Sequence, residues 1–275
     1  MTHMRSQNGL QARNILIVSV PLIILVIIVS LVGLLYPQIY RAATPNWLAQ
    51  SIGQDAIDLF LIVPVLIVGT LYSFSSHKYA LYLWVGTLLY LVYTFLIYCF
   101  AVRFNPLFIP YCLILGISIF SVIWFFSNSK NSFYGNRQNK VLTIIGIYFI
   151  TISVIFYSLW LMEVLPATFN DEVPQSVIDA GLFTNPVHVI DLSFILPATF
   201  MIGVMAVRRS IRSTLLAPIL LTFFILMDLT IAALSVIMTI RNAGGSYAIA
   251  IVMTCLALFS TLLLVSFIRN DEQTV

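Results

Sequence analysis

The chain has 275 residues, of which 61% are hydrophobic and only 8% are charged, and its formal net charge is +3. An average soluble domain carries about a quarter charged residues, so this composition excludes an ordinary water-soluble protein. The small net charge argues against nucleic acid as a partner, because the basic residues lie between apolar segments and form no single patch.

Apolar runs separated by short polar segments predict an all-α, polytopic membrane protein with eight transmembrane helices. Residues 14–36 form an uncharged run that ends in Leu-Leu-Tyr-Pro-Gln and has no small-residue cleavage site, which predicts a retained first span rather than a signal peptide. Seven further spans are predicted at 56–75, 80–101, 107–126, 141–164, 187–207, 214–240 and 247–268.

The two longest connections, 37–53 and 166–185, follow prolines that are predicted to end spans 1 and 5, Pro37 and Pro166. Each connection contains a proline, a short amphipathic stretch and a glycine: PNWLAQSIG from Pro45 and PQSVIDAG from Pro174. Proline at the first helical position and glycine just past the last one are helix start and stop signals. Each connection is therefore predicted to carry a short, separate helix.

The distribution of Lys and Arg between alternate connections predicts the orientation. Of the 13 Lys and Arg residues, only Arg41, Arg103 and Arg241 fall in one set of connections, and the other ten fall in the opposite set or at the termini. Because basic residues are retained on the cytoplasmic side, both termini are predicted to be cytoplasmic in a cell membrane, with the two long connections outside. The lipid bilayer is the predicted partner, with interfacial aromatic anchors at Trp47, Trp124 and Trp160.

The three cysteines, Cys99, Cys112 and Cys255, all lie in apolar segments without a metal-binding spacing. Cys99 and Cys112 flank a tight hairpin and could pair, although buried free thiols are the favoured interpretation.

An internal repeat is the most informative feature of the sequence. IDLFLIVP at 57–64 and IDLSFILP at 190–197 share five of eight residues, including the aspartate and the proline. Asp and Pro at this spacing are unusual inside membrane spans. The match predicts two four-helix repeats, 1–130 and 131–275, which share one orientation because each contains an even number of spans.

The segment TNPVHVIDLSFILP at 184–197 resembles an NPVHV[IL]DL-like segment that recurs in multi-pass membrane proteins of bacteria. The resemblance covers mainly this segment and the general pattern of spans. It implies a bacterial membrane location and no particular activity.

Alignment of the repeats pairs Asp55 with His188 and Asp58 with Asp191. Within each copy the two residues are three apart, which places them on one helix face. A first interpretation is structural, with the carboxylates capping helix amides and His188 lying at the interface.

A second interpretation is a polar site for a solute, proton or ion that opens outward between the repeats. Carboxylates close together cannot all remain charged, which suits proton coupling, and Asp228 could extend the route. Arg103 and Arg241 could pair with the aspartates, bind an anion or snorkel to the interface.

A third interpretation is a divalent metal site in a membrane-embedded enzyme, with Asp55, Asp58, His188 and Asp191 as ligands and Glu163 as a further ligand or base. A non-catalytic partner of a membrane complex is also compatible with the sequence. Among the functional interpretations, the transporter-like one is the leading hypothesis.

Overall fold

The computed structural model describes residues 2–75, 78–128, 135–136 and 140–272 of the chain. In this part of the chain there is no strand, and eight helical segments are long and apolar enough to cross a membrane. The all-helical, eight-span prediction is thus confirmed. Lys130 and Arg137, which are predicted to be cytoplasmic, and the predicted repeat boundary after residue 130 lie outside the described residues.

The α-helices are α1 (Thr2–Leu35), α2 (Pro45–Ile57), α3 (Val63–Tyr72), α4 (Lys78–Ala101), α5 (Phe108–Ser127), α6 (Lys140–Asn170), α7 (Gln175–Ala180), α8 (Pro186–Ile190), α9 (Leu196–Val207), α10 (Ser213–Ile240) and α11 (Tyr247–Glu272). A 3₁₀ helix, Pro37–Tyr40, follows α1. Two π-helical turns join consecutive helices: the first π-segment (Asp58–Ile62) links α2 to α3, and the second π-segment (Asp191–Ile195) links α8 to α9.

The chain forms two compact units. Unit 1 comprises Met1–Ser129 with Thr222–Ser260, and unit 2 comprises Lys130–Leu221 with Thr261–Val275. Unit 1 therefore contains the predicted first repeat together with parts of α10 and α11. The repeats themselves stay a prediction.

The prediction of a short separate helix at 45–53 is wrong. The helix that begins at Pro45 runs through the first π-segment to Tyr72 as one span of 28 residues. Gly53 does not end the helix. Its missing side chain instead allows the helix to pack closely on Leu234, because a Cβ at position 53 would lie only 2.7 Å from Leu234 Cδ2. The corresponding prediction for the second connection is confirmed, since α7 is a separate helix that ends at Ala180 and is followed by Gly181 with a left-handed φ of 66°.

The two prolines predicted to end spans behave differently. Pro37 does follow the end of α1, at the start of the 3₁₀ helix. Pro166 lies inside α6, which continues to Asn170, so the predicted end of span 5 at this proline is wrong. A helix can continue past a proline at the cost of one hydrogen bond, and here the last turn of α6 buries Ala167.

Both π-segments begin at the aspartate of the repeated motif and end two residues before its proline. Proline lacks an amide hydrogen, and its ring clashes with the carbonyl four residues earlier, so a wider turn accommodates it. In the first π-segment the Val63 amide donates to the Asp58 carbonyl, and in the second the Leu196 amide donates to the Asp191 carbonyl. The repeated sequence thus forms the same local irregularity twice.

Candidate functional site

Asp55 lies at the centre of a buried cluster in unit 1. The Tyr40 hydroxyl donates to its Oδ2 at 2.8 Å, and the Tyr98 hydroxyl donates to its Oδ1 at 2.9 Å. Gly33 of α1 packs against the same carboxylate, and a Cβ at that position would overlap Asp55 Oδ2. Asp55 therefore ties the 3₁₀ helix, α1 and α4 to α2.

Tyr40 lies outside the membrane-spanning segments and serves as a hydrogen-bond donor. Burial raises the pKa of its hydroxyl, and the adjacent Asp55 carboxylate raises that pKa further. Tyr40 consequently keeps its proton across the physiological pH range and donates a hydrogen bond to Asp55.

Asp58 is one helical turn from Asp55 and is 1% exposed. Its Oδ1 accepts from Gln54 Nε2 at 2.9 Å and from the Tyr90 hydroxyl at 3.1 Å. Tyr90 also lies 3.0 Å from the Thr230 hydroxyl, which brings α10 into the network. The second oxygen, Oδ2, is buried and has no hydrogen-bond partner among the described residues, so it is available to a proton or a cation.

Asp228 is a third buried carboxyl of unit 1, in α10 two residues before Thr230. Its Oδ2 likewise has no hydrogen-bond partner in the described part of the chain. No described Lys or Arg side chain forms an ion pair with Asp55, Asp58 or Asp228. Unit 1 therefore holds three buried acids, Asp55, Asp58 and Asp228, that have no basic partner in the described part of the chain; they are here called the acidic network.

The other two predicted residues, His188 and Asp191, lie in unit 2, and both contact Trp160. Trp160 Nε1 donates to Asp191 Oδ2 at 2.9 Å, and the Trp160 ring packs against the His188 ring with centroids 4.6 Å apart. His188 Nε2 lies 3.6 Å from Glu163 Oε2. Trp160, predicted only as an interfacial anchor, thus positions two polar side chains.

Helix capping does not account for the paired aspartates. The helix containing Asp55 and Asp58 is capped by Thr44, whose Oγ1 accepts from the Trp47 amide at 3.3 Å. The helix leading to Asp191 is capped by Asn185, whose Oδ1 accepts from the Val187 amide at 3.0 Å.

Two sets of predicted contacts are not formed. Arg103 and Arg241 are exposed, and neither forms an ion pair with the aspartates. No group of three or more His, Cys, Asp or Glu side chains among the described residues could hold one metal ion, so the geometry does not favour the metal alternative for Asp55, Asp58, His188, Asp191 and Glu163.

Comparison with protein-family models, with curated proteins and with solved structures gives no match for this chain. The chemistry of the two clusters is therefore the basis for a functional conclusion.

The sequence did not identify the partners of the aspartates. Tyr40, Tyr90 and Tyr98 become donors only through their positions on different helices of the folded chain. Gln54 could have been found, because it lies four residues before Asp58 and hence on the same helix face.

Proposed function

We propose that the protein is a transporter-like protein of a bacterial cell membrane that binds a proton or a cation at the acidic network. One observation carries the proposal: Asp55, Asp58 and Asp228 are buried in membrane-spanning helices and have no basic partner among the described residues. A buried carboxylate is tolerated when it holds a proton, binds a cation or is paired with a base. With no base in place in the described part of the chain, each acid holds a proton or binds a cation, and exchange between the two is the chemistry that we propose.

Asp58 is the residue at which we place this exchange. Two donors, Gln54 and Tyr90, orient its Oδ1, while Oδ2 remains without a partner among the described residues. Asp55 differs, because tyrosine hydroxyls bind both of its oxygens. We assign Asp55 to holding the helices together and Asp58, with Asp228, to binding.

The proposed arrangement comprises two parallel four-helix repeats, 1–130 and 131–275, with both termini in the cytoplasm. It is supported by the recurrence of a π-helical turn between Asp and Pro in both copies of the motif and by the distribution of Lys and Arg. An even number of spans is consistent with termini on one side.

Proton release on ligand addition tests the proposal. Purified protein in unbuffered detergent solution receives a panel of salts, including those of Na⁺, K⁺, Li⁺ and Mg²⁺, and a pH indicator records released protons. We expect at least one cation to release protons saturably from the wild-type protein. Asp58→Asn keeps the shape of the side chain and an oxygen acceptor, and it should abolish the release because the amide cannot exchange a proton.

Asp179→Asn is the matched control. Asp179 is exposed on α7 and accepts from Gln175 Nε2 at 2.7 Å, so its replacement removes one carboxylate without altering the acidic network. Proton release should be unchanged in this variant. Absence of release with every cation, or release that persists undiminished in Asp58→Asn, would show that the network is structural.

A further inference from the structure

Unit 2 contains an open pocket of about 590 Å³ that the acidic network does not use. The end of α6, the segment around α7 and the start of α8 form its walls. Its volume lies within the range typical of small-molecule sites, which is roughly 300 to 1,000 Å³. Most of the wall is apolar, with Val177, Phe183 and Leu192 among the lining residues.

The polar groups of the pocket are few and include His188. This side chain is more than nine-tenths buried, and its Nε2 has no hydrogen-bond partner among the described residues. Its nearest charged group is Glu163 Oε2, 3.6 Å away, which does not line the pocket. The carboxylate of Glu172 lines the pocket from an exposed position and is therefore the charged group that a ligand can reach.

The electrostatic environment of the pocket is acidic. Residues 141–207 contain no Lys or Arg and five acidic residues, Glu163, Asp171, Glu172, Asp179 and Asp191. Glu172 itself lines the pocket. Lys140 begins α6 and is about 36 Å from Val164 along the helix by helical rise, and Arg208 follows the far end of α9. The charged side chains of this segment therefore favour a cationic ligand over an anionic one.

We infer that this pocket binds an amphipathic ammonium ion, a solute with an apolar body and one primary or secondary ammonium group. The apolar body occupies the wall formed by Val177, Phe183 and Leu192. The ammonium group donates to the carboxylate of Glu172 on the pocket wall. This binding does not depend on proton exchange at the acidic network.

The test uses two fluorescent probes of similar size and opposite charge. Dansylcadaverine carries a primary ammonium on a five-carbon chain, and dansyl-6-aminohexanoate carries a carboxylate on a chain of similar length. Each is titrated into protein in phosphatidylcholine nanodiscs, and the signal of empty discs is subtracted. We expect saturable enhancement of dansyl emission with the ammonium probe and none with the carboxylate probe.

Two variants locate the site, and a third is their control. Glu172→Gln removes the lining charge and should weaken binding about three- to fivefold. Thr168→Phe fills the pocket from an exposed position that lines it and should abolish saturable binding. Asp179→Asn, which removes a charge outside the lining, should change the affinity less than twofold.

Equal binding of the two probes would overturn the inference, as would unchanged affinity in Thr168→Phe. Each variant is first checked for an unaltered elution volume and melting temperature. Asp58→Asn should still bind the ammonium probe, so failure of the acidic network and failure of this pocket give different results.

Discussion

At the scale of single residues, the position of Asp55 depends on the absence of a side chain at Gly33. The carboxylate fills the space that a Cβ would need, and it accepts hydrogen bonds from Tyr40 and Tyr98 in that position. The sequence identified Asp55 as a candidate but gave no sign that a glycine on another helix makes room for it.

Gly33→Ala is therefore expected to destabilise the protein. The added methyl group would displace Asp55 from Tyr40, and a lost buried hydrogen bond costs about 1–3 kcal/mol. The intrinsic preference of alanine for helix, up to about 1 kcal/mol, offsets this only in part. Thermal unfolding in detergent should show a lower Tm.

Gly116→Ala in α5 is the matched control, because no atom lies within 4 Å of a Cβ built there. Its Tm should equal or slightly exceed that of the wild type. A second check is the Asp55→Ala background, in which Gly33→Ala should cost much less, since the clashing carboxylate is gone. Equal Tm changes for Gly33→Ala and Gly116→Ala would refute this account of Asp55.

Residue types predicted the acidic positions but not their environment. Asp58 and Asp191 stood out because aspartate is costly in a membrane span. Their partners could not be predicted, because Tyr90 contacts Asp58 across 32 residues and Trp160 contacts Asp191 across 31. Tyrosine and tryptophan are common in spans, so their identity carries no signal until the helices are packed.

At the scale of elements, the sequence located the repeated Asp–Pro motif but not the π-helical turn within it. The turn depends on which carbonyl each amide reaches, and a hydrophobic pattern does not specify this. The helix start and stop signals in the sequence were correct only in part. Pro45 begins a helix as predicted, whereas Gly53 serves helix packing on Leu234 rather than termination.

The packing of α6 on α9 gives a prediction at this scale. Gly146 and Gly203 face each other, and a Cβ at Gly146 would lie 2.7 Å from the Gly203 carbonyl oxygen. Because this contact is backbone rather than a flexible side chain, Gly146→Leu should separate the two helices and lower the Tm of the protein markedly. Small residues allow such close approach between membrane helices.

Gly116→Leu serves as the control for this larger substitution, since its surroundings are open. It should leave the Tm close to that of the wild type. If Gly146→Leu is tolerated equally well, the close approach of α6 and α9 is not important for stability.

At the scale of the whole molecule, composition and hydropathy were sufficient to predict the number of spans. Eight apolar runs correspond to eight helices because a span needs only length and apolar character. The division into units was not predictable in the same way. It depends on contacts of residues 222–260 with the first 129 residues, such as the Tyr90–Thr230 pair, which hydropathy does not encode.

The orientation of the spans gives the last prediction. Cys99, Cys112 and Cys255 are replaced by serine, and single cysteines are introduced at Asn128 and Gln175, which are both exposed and are separated by one span, α6. A membrane-impermeant maleimide applied to intact spheroplasts should label Gln175→Cys. Asn128→Cys should react only after permeabilisation, because ten of the 13 basic residues place its connection in the cytoplasm. The reverse pattern would mean that the protein has the opposite orientation in the membrane. Labelling of both positions from one side would mean that α6 does not cross the bilayer.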